Sequence, residues 1–196
     1  MFFRNLITYR LQAPWAMTAE QLAEHLSKKT FQPCGGLDRE RRGWVPPVGN
    51  GSLVHSVNGQ WLIALRSEKK RLPASAVKRA VSVRADEFEK TQGVRPGRRQ
   101  LKEIKEQVID DLLPRALPEE KTTFAWIDPA GGWFGVDAPS YSRAEEVIHT
   151  LRDAVNDLPL QPINTALSPV SAMAGWLASG EPPSGFTIDR DCVLQA

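Results

Sequence analysis

Cysteine is scarce: Cys34 and Cys192 are the only two in 196 residues. Two thiols cannot build a disulfide framework, and they fit a reducing cytosol. No apolar run approaches the ~20 residues needed to span a bilayer. The opening "MFFRNLITYRL" lacks a signal peptide's basic start, long apolar stretch and small-residue cleavage site. The expected location is cytoplasmic, with no membrane partner. Catalytic signatures are missing as well. There is no G-x-x-x-x-G-K phosphate loop, no G-x-S-x-G and no C-x-x-C. Neither His25 nor His55 stands at ligand spacing from another histidine or cysteine. No cofactor and no enzymatic activity are expected.

What is present is segregated charge. The whole chain carries only +2, yet Arg66 to Lys105 holds 13 basic residues against 5 acidic ones. That window is +8 and the remainder −6. Such an asymmetry points to a polyanionic partner more than the average does. A solvated charged surface is the plain alternative. Of six tryptophans, only Trp61 adjoins the window closely, so an aromatic platform for stacking bases is not indicated. Without a recognition-helix motif, contact with the nucleic-acid backbone is the better expectation.

The elements follow from periodicity and punctuation. "FFRNLITYRL" reads as a strand, and "TAEQLAEHLSKK" as a helix over 19–28 with Thr18 and Gln21 as a capping box. A long irregular segment runs from Thr30 to Gly51. "SLVHSVNGQWLIALR" is a hairpin turning at Asn58-Gly59. Two amphipathic helices follow. The first places Val77, Val81 and Phe88 on one side and stops at Gly93. The second pairs an apolar face of Leu101, Ile104, Val108 and Leu112 with a basic stripe of Arg98, Lys102 and Lys105, and ends at Pro114. "LPEEK", from Leu117, reads as an acidic turn. "TTFAWIDPAGGWFGVDA" is a second hairpin, and "SRAEEVIHTLRDAV" a helix capped by Ser142 with Glu145. Ser168-Pro169 opens a last short helix that Gly180 closes, and "GFTIDRDCVLQA" starts like a strand. The fold class is α+β. Residues 1–71 and 118–196 form a sheet-containing body, into which residues 72–117 insert a basic helical lobe.

Three small constellations invite chemistry. Cys34 beside Gly35-Gly36 suits a nucleophile or a thiol buried in a tight loop. His149 lies four residues from both Glu145 and Asp153, as metal ligands or as ordinary exposed helix polarity. Asp110-Asp111 suggests nuclease carboxylates, but neighbours on a helix point about 100° apart and make a poor Mg²⁺ pair. "GWVPPVG" is stiffened by Pro46-Pro47 and carries Trp44. We read these three residues as an anchor fixing the long loop to the sheet, with a proline-docking partner site as the alternative.

Taken in order, "RNLITYRL", "FQPCGG", "GWVPPVG", "LLPRA" and "WID" resemble the bacterial recombination-associated protein RdgC family. The resemblance implies a non-enzymatic protein that binds duplex DNA with little sequence preference. It further implies a ring-shaped homodimer that encircles DNA, associates with the nucleoid and restrains a RecA-type recombinase. Lys69, Lys70, Arg71, Lys78, Arg79, Arg84, Arg98, Arg99, Lys102 and Lys105 are then the candidate phosphate contacts. Family members continue well beyond Ala196. The alternative function is a protein-interaction or dimerisation module that contacts a recombinase, with DNA contact incidental.

Overall fold

The computed structural model describes residues 3–12, 15–155 and 157–188. Contacts divide the chain into two compact units, Met1–Gln161 and Pro162–Ala196. The architecture is α+β, as expected. In the first unit the chain runs β1 (Ile7–Leu11), α1 (Ala19–Ser27), β2 (Glu40–Val45), β3 (His55–Val57), β4 (Gln60–Lys70), α2 (Ala74–Gln92) and α3 (Arg98–Leu112). It continues through a 3₁₀ turn at Leu113–Arg115 into β5 (Pro118–Asp128), β6 (Trp133–Val136), α4 (Tyr141–Arg152) and β7 (Leu160–Pro162), whose last residue begins the second unit. The sheet order is β2-β4-β5-β6-β1-β7, with β3 also paired to β4.

Local chemistry explains most boundaries. Thr18 and Gln21 form the expected capping box, with Gln21 N–H on Thr18 Oγ1 at 3.2 Å and Thr18 N–H on Gln21 Oε1 at 2.9 Å. Asn58 and Gly59 take φ of 50° and 78°, the left-handed pair that a type I′ turn needs. The first strand is shorter than its aromatic run suggests and begins at Ile7. The cap of α4 is Ser140 rather than Ser142: Ser140 is extended, and its Oγ accepts from Arg143 N–H. "LPEEK" is not a turn. Pro118 to Lys121 open β5 and pair with Lys70 to Ser67. The connection between lobe helices, at residues 93–97, is the true turn there.

Alternation along the strands places Trp61, Ile63 and Leu65 of β4 opposite Ile127, Ala125 and Thr123 of β5. Trp44, Tyr9, Phe134 and Val136 lie on the same face. They bury against Leu22 and Leu26 of α1 and Val147, Ile148 and Leu151 of α4. At ~25 cal/mol per Å² of apolar surface, this one-sided core is the main stabilising term. Leu62, Phe124 and Trp126 point to the other face and are half-buried.

The segment around Trp44 is more ordered than its prolines suggest. Gly43 to Val45 end β2, which lies at the end of the sheet order. Phe31 N–H bonds Trp44 O at 3.0 Å, and Trp44 N–H bonds Lys29 O at 2.9 Å. A Cβ on Gly43 would stand 2.3 Å from Phe31 Cα, so only glycine permits this approach. Pro46 and Pro47 come directly after the strand and, lacking N–H groups, cannot continue it.

Tyr9 provides a pH-dependent link between sheet and helix. Its hydroxyl donates to Glu145 Oε1 at 3.2 Å. Burial, then the Glu145 charge, pushes its ionisation up to about 12. An unfolded tyrosine ionises near ~10, so this stabilisation is complete below pH ~10 and is lost as pH rises towards ~12. Tyr9→Phe is expected to cost about 1 kcal/mol at neutral pH. It should also flatten the alkaline fall in unfolding free energy, read from urea titrations, by on the order of 1–2 kcal/mol. An unchanged alkaline fall in the variant would refute the assignment.

In the second unit, α5 spans Pro169–Ser179. Ser168 caps it, Pro169 opens it, and Gly180 closes it in the left-handed conformation at φ 71°. Trp176 and Phe186 pack at a tilt of 43° with ring centres 5.4 Å apart. No strand forms over Phe186–Ile188, and the rest of that expected strand lies outside the described residues. No described helix is long and apolar enough to cross a membrane.

Candidate nucleic-acid interface

The helical hairpin between β4 and β5 carries the candidate surface. Gly93, at φ 72°, ends α2, and its N–H bonds Glu89 O at 2.8 Å. Gln100 Oε1 accepts from Gly97 N–H at 2.8 Å and opens α3. Val77, Val108 and Leu113 are buried between the helices and the body, while Val81, Phe88, Ile104, Ile109 and Leu112 are half-buried. Leu101, expected on the apolar face, is exposed near the tip. Arg84 reaches Asp111 at 2.8 Å and ties α2 to α3.

The ten sequence-derived cations fall into two groups. Lys69 pairs with Glu40 at 3.6 Å, Arg71 with Glu119, Arg84 with Asp111, Arg99 with Glu103 at 3.2 Å and Lys102 with Glu106 at 3.9 Å. Burial pushes the Glu40 carboxyl up, but Arg42 and Lys69 more than offset it and hold it below its ordinary range. Bonding from Lys121, helped by the Arg71 charge, likewise holds Glu119 low. These acids stay ionised and mute the field of their partners.

Lys78, Arg79, Arg98 and Lys105 are exposed and, among the described residues, have no carboxylate within 4 Å. Lys70 directs its ammonium at the Gly35 and Gly36 carbonyls, at 2.6 and 3.0 Å, and has no carboxylate within 4 Å among the described residues, though, after the Gly35 N–H and Arg41, its charge helps hold Asp38 low. The folded hairpin is less basic than the sequence window. From Ala74 to Leu112 there are nine Lys/Arg and seven Asp/Glu, because Glu106, Asp110 and Asp111 join α3 just beyond Lys105.

Free positive charge gathers instead where the lobe meets the body. Arg39, Lys70, Lys78 and Lys105 all line a hollow of ≈430 Å³ there. Arg39 escaped the sequence reading because it precedes the basic window. It immediately precedes β2, where its carbonyl accepts from Lys70 N–H at 2.9 Å. The run "DRERR" was the available signal, and only strand pairing carries it to the lobe.

Cys34, His149 and Trp44 lie outside the helical hairpin. Cys34 N–H donates to Glu68 Oε1 at 3.2 Å, and desolvation, then the Glu68 charge, pushes its thiol ionisation up. A raised value disfavours the thiolate a nucleophile needs. His149 lies 3.6 Å from Asp153 on an exposed face. Trp44 is buried in the core, and Pro46 and Pro47 are half-buried behind it.

A family model described as "Putative exonuclease, RdgC" matches residues 1–196. The chain belongs to the RdgC family. Relatives named recombination-associated protein RdgC align over all of it. That of Janthinobacterium sp. (strain Marseille) is 50% identical over 196 residues, which is 100% of this chain and 65% of that protein. Those of Herminiimonas arsenicoxydans and Dechloromonas aromatica (strain RCB) are each 48% identical over 100% of this chain, covering 65% and 64% of the respective proteins. The chain therefore spans just under two thirds of the length of these RdgC relatives.

Proposed function

We propose that this RdgC-family chain binds duplex DNA through its phosphates, without sequence preference and without cleaving it. In this reading it coats or encircles DNA as a homodimer at the nucleoid and restrains a RecA-type recombinase. The supporting observation is the set of cations with no carboxylate within 4 Å among the described residues, Lys70, Lys78, Arg79, Arg98 and Lys105, on or beside one exposed helical hairpin. Lysine and arginine suit phosphate contact because they displace condensed counterions, a term every sequence offers equally. The paired residues Arg99 and Lys102 join on binding at small cost, since exposed helix ion pairs stabilise by only ~0.3–0.5 kcal/mol. Asp111, one of the two adjacent carboxylates a nuclease reading would use, is engaged by Arg84, and this favours the non-catalytic reading.

The test is fluorescence anisotropy of the chain with labelled duplexes of unrelated sequence across a salt series. About five to seven phosphate contacts, the higher figure with Arg99 and Lys102, predict a log–log slope of roughly −4.5 to −6 and equal affinity for each duplex. A flat salt response, or Mg²⁺-dependent loss of the duplex, would sink the proposal.

A further inference from the structure

The hollow at the base of the lobe has a lining that phosphate binding does not use. Its floor is aliphatic: Leu72, Val77 and Val81 from the α2 side, Ile109 and Leu113 from the α3 side. Val77 and Leu113 are buried, and the others are half-buried. Its rim is formed by Arg39, Lys70, Lys78 and Lys105, and no carboxylate lines it. Arg39, Lys78 and Lys105 have no carboxylate within 4 Å among the described residues. At ≈430 Å³ it lies within the range of small ligand sites, roughly 300–1,000 Å³.

We infer that this hollow is a docking site for an acidic peptide segment bearing large apolar side chains, supplied by a partner protein. Charge complementarity requires an anion at the rim. The floor requires something apolar between the anionic groups. A phosphodiester backbone satisfies the rim and leaves the aliphatic floor wet. An unstacked base prefers aromatic faces, and none lines the site. A peptide of aspartates flanking leucine or phenylalanine satisfies both, with carboxylates on Arg39, Lys78 and Lys105 and an apolar side chain against Val81 and Ile109. Lys78 and Lys105 also belong to the proposed DNA surface, so peptide and duplex compete for them. Arg39 belongs to the hollow alone, and Arg79 and Arg98 to the DNA surface alone. The inference thus stands apart from the DNA reading.

The experiment titrates the chain into fluorescein-labelled Asp-Asp-Leu-Asp-Phe-Asp and into a same-charge probe with serine at both apolar positions. The apolar probe is expected to bind about tenfold or more tightly than the serine probe. Arg39→Glu, an exposed change read alongside an unaltered melting curve, should weaken the apolar probe by about tenfold and leave duplex affinity within about twofold. The Arg79→Glu/Arg98→Glu double variant should do the reverse. Equal binding of the two probes, or no effect of Arg39→Glu, would overturn the inference. Loss of duplex and peptide alike in Arg39→Glu would assign the hollow to DNA. Failure of duplex binding with normal peptide binding would remove the DNA reading alone.

Discussion

Reversing Lys78, Arg79, Arg98 and Lys105 to glutamate is expected to lower duplex affinity by about 10²-fold or more near 0.1 M salt, equally for unrelated sequences. Each is exposed with no carboxylate within 4 Å among the described residues, so each offers its full charge to a phosphate. Losing four such contacts should also flatten the log–log salt slope by roughly 3–4. The matched control sets two reversals against two: Arg99 and Lys102, which Glu103 and Glu106 already face one turn on, against Arg79 and Arg98. Reversal of Arg99 and Lys102 should weaken binding less, and it adds like-charge i,i+4 pairs that cost a few tenths of a kcal/mol in helix stability (roughly 0.2–0.5 each). Anisotropy at several salt concentrations reads both, with circular dichroism as the fold check. Equal losses in the two double variants would mean that ion pairing within the lobe does not sort its cations. No loss in either would place the contact elsewhere.

Trp44→Ala is expected to cost about 3–5 kcal/mol, a large share of the ~5–15 kcal/mol that holds a domain together. The indole is 1% exposed and packs in the main core, opposite Leu65 on β4. Its removal leaves a void at the end of the sheet where Phe31 and Lys29 also bond its backbone. Trp44→Phe should cost much less, about 1–2 kcal/mol, for a specific reason. Trp44 Nε1 is buried without a hydrogen-bond partner, so phenylalanine removes an unsatisfied donor as well as volume. Urea midpoints with an unchanged m-value read the difference. Both variants remove the orphaned N–H, so equal costs would mean that the ring phenylalanine retains has no energetic weight. If neither costs anything, Trp44 is not the anchor of this segment. Pro46→Ala and Pro47→Ala should shift the midpoint little by comparison, since their side chains are half-exposed and they lie beyond the strand.

The sequence alone determined those features whose causes lie within a few residues. The Asn58-Gly59 turn, the Thr18–Gln21 box, the Gly93 stop and the Ser168-Pro169 start with its Gly180 close each depend on backbone conformation and one nearby side chain. Family membership was equally legible, because short motifs such as "GWVPPVG" carry it without any folding. The missed elements have distant causes. β2 reads as a charged, glycine-bearing loop until β4 supplies its hydrogen bonds and Phe31 closes against Gly43. "LPEEK" becomes strand only because Lys70 to Ser67 lie opposite it.

The site divides in the same way. Composition identified a basic segment, but a count of charges along the chain does not say which of them face a carboxylate. Glu40 and Glu119 reach Lys69 and Arg71 through strand pairing, and Asp111 reaches Arg84 across the helical hairpin. Only the tertiary structure left Lys78, Arg79, Arg98 and Lys105 free and brought Arg39, from outside the basic window, to the same hollow as Lys78 and Lys105. The physical reason is range. Turns and caps are settled over one to four residues along the backbone, whereas charge compensation and the meeting of apolar with cationic surface are settled in space, after the sheet has chosen its neighbours.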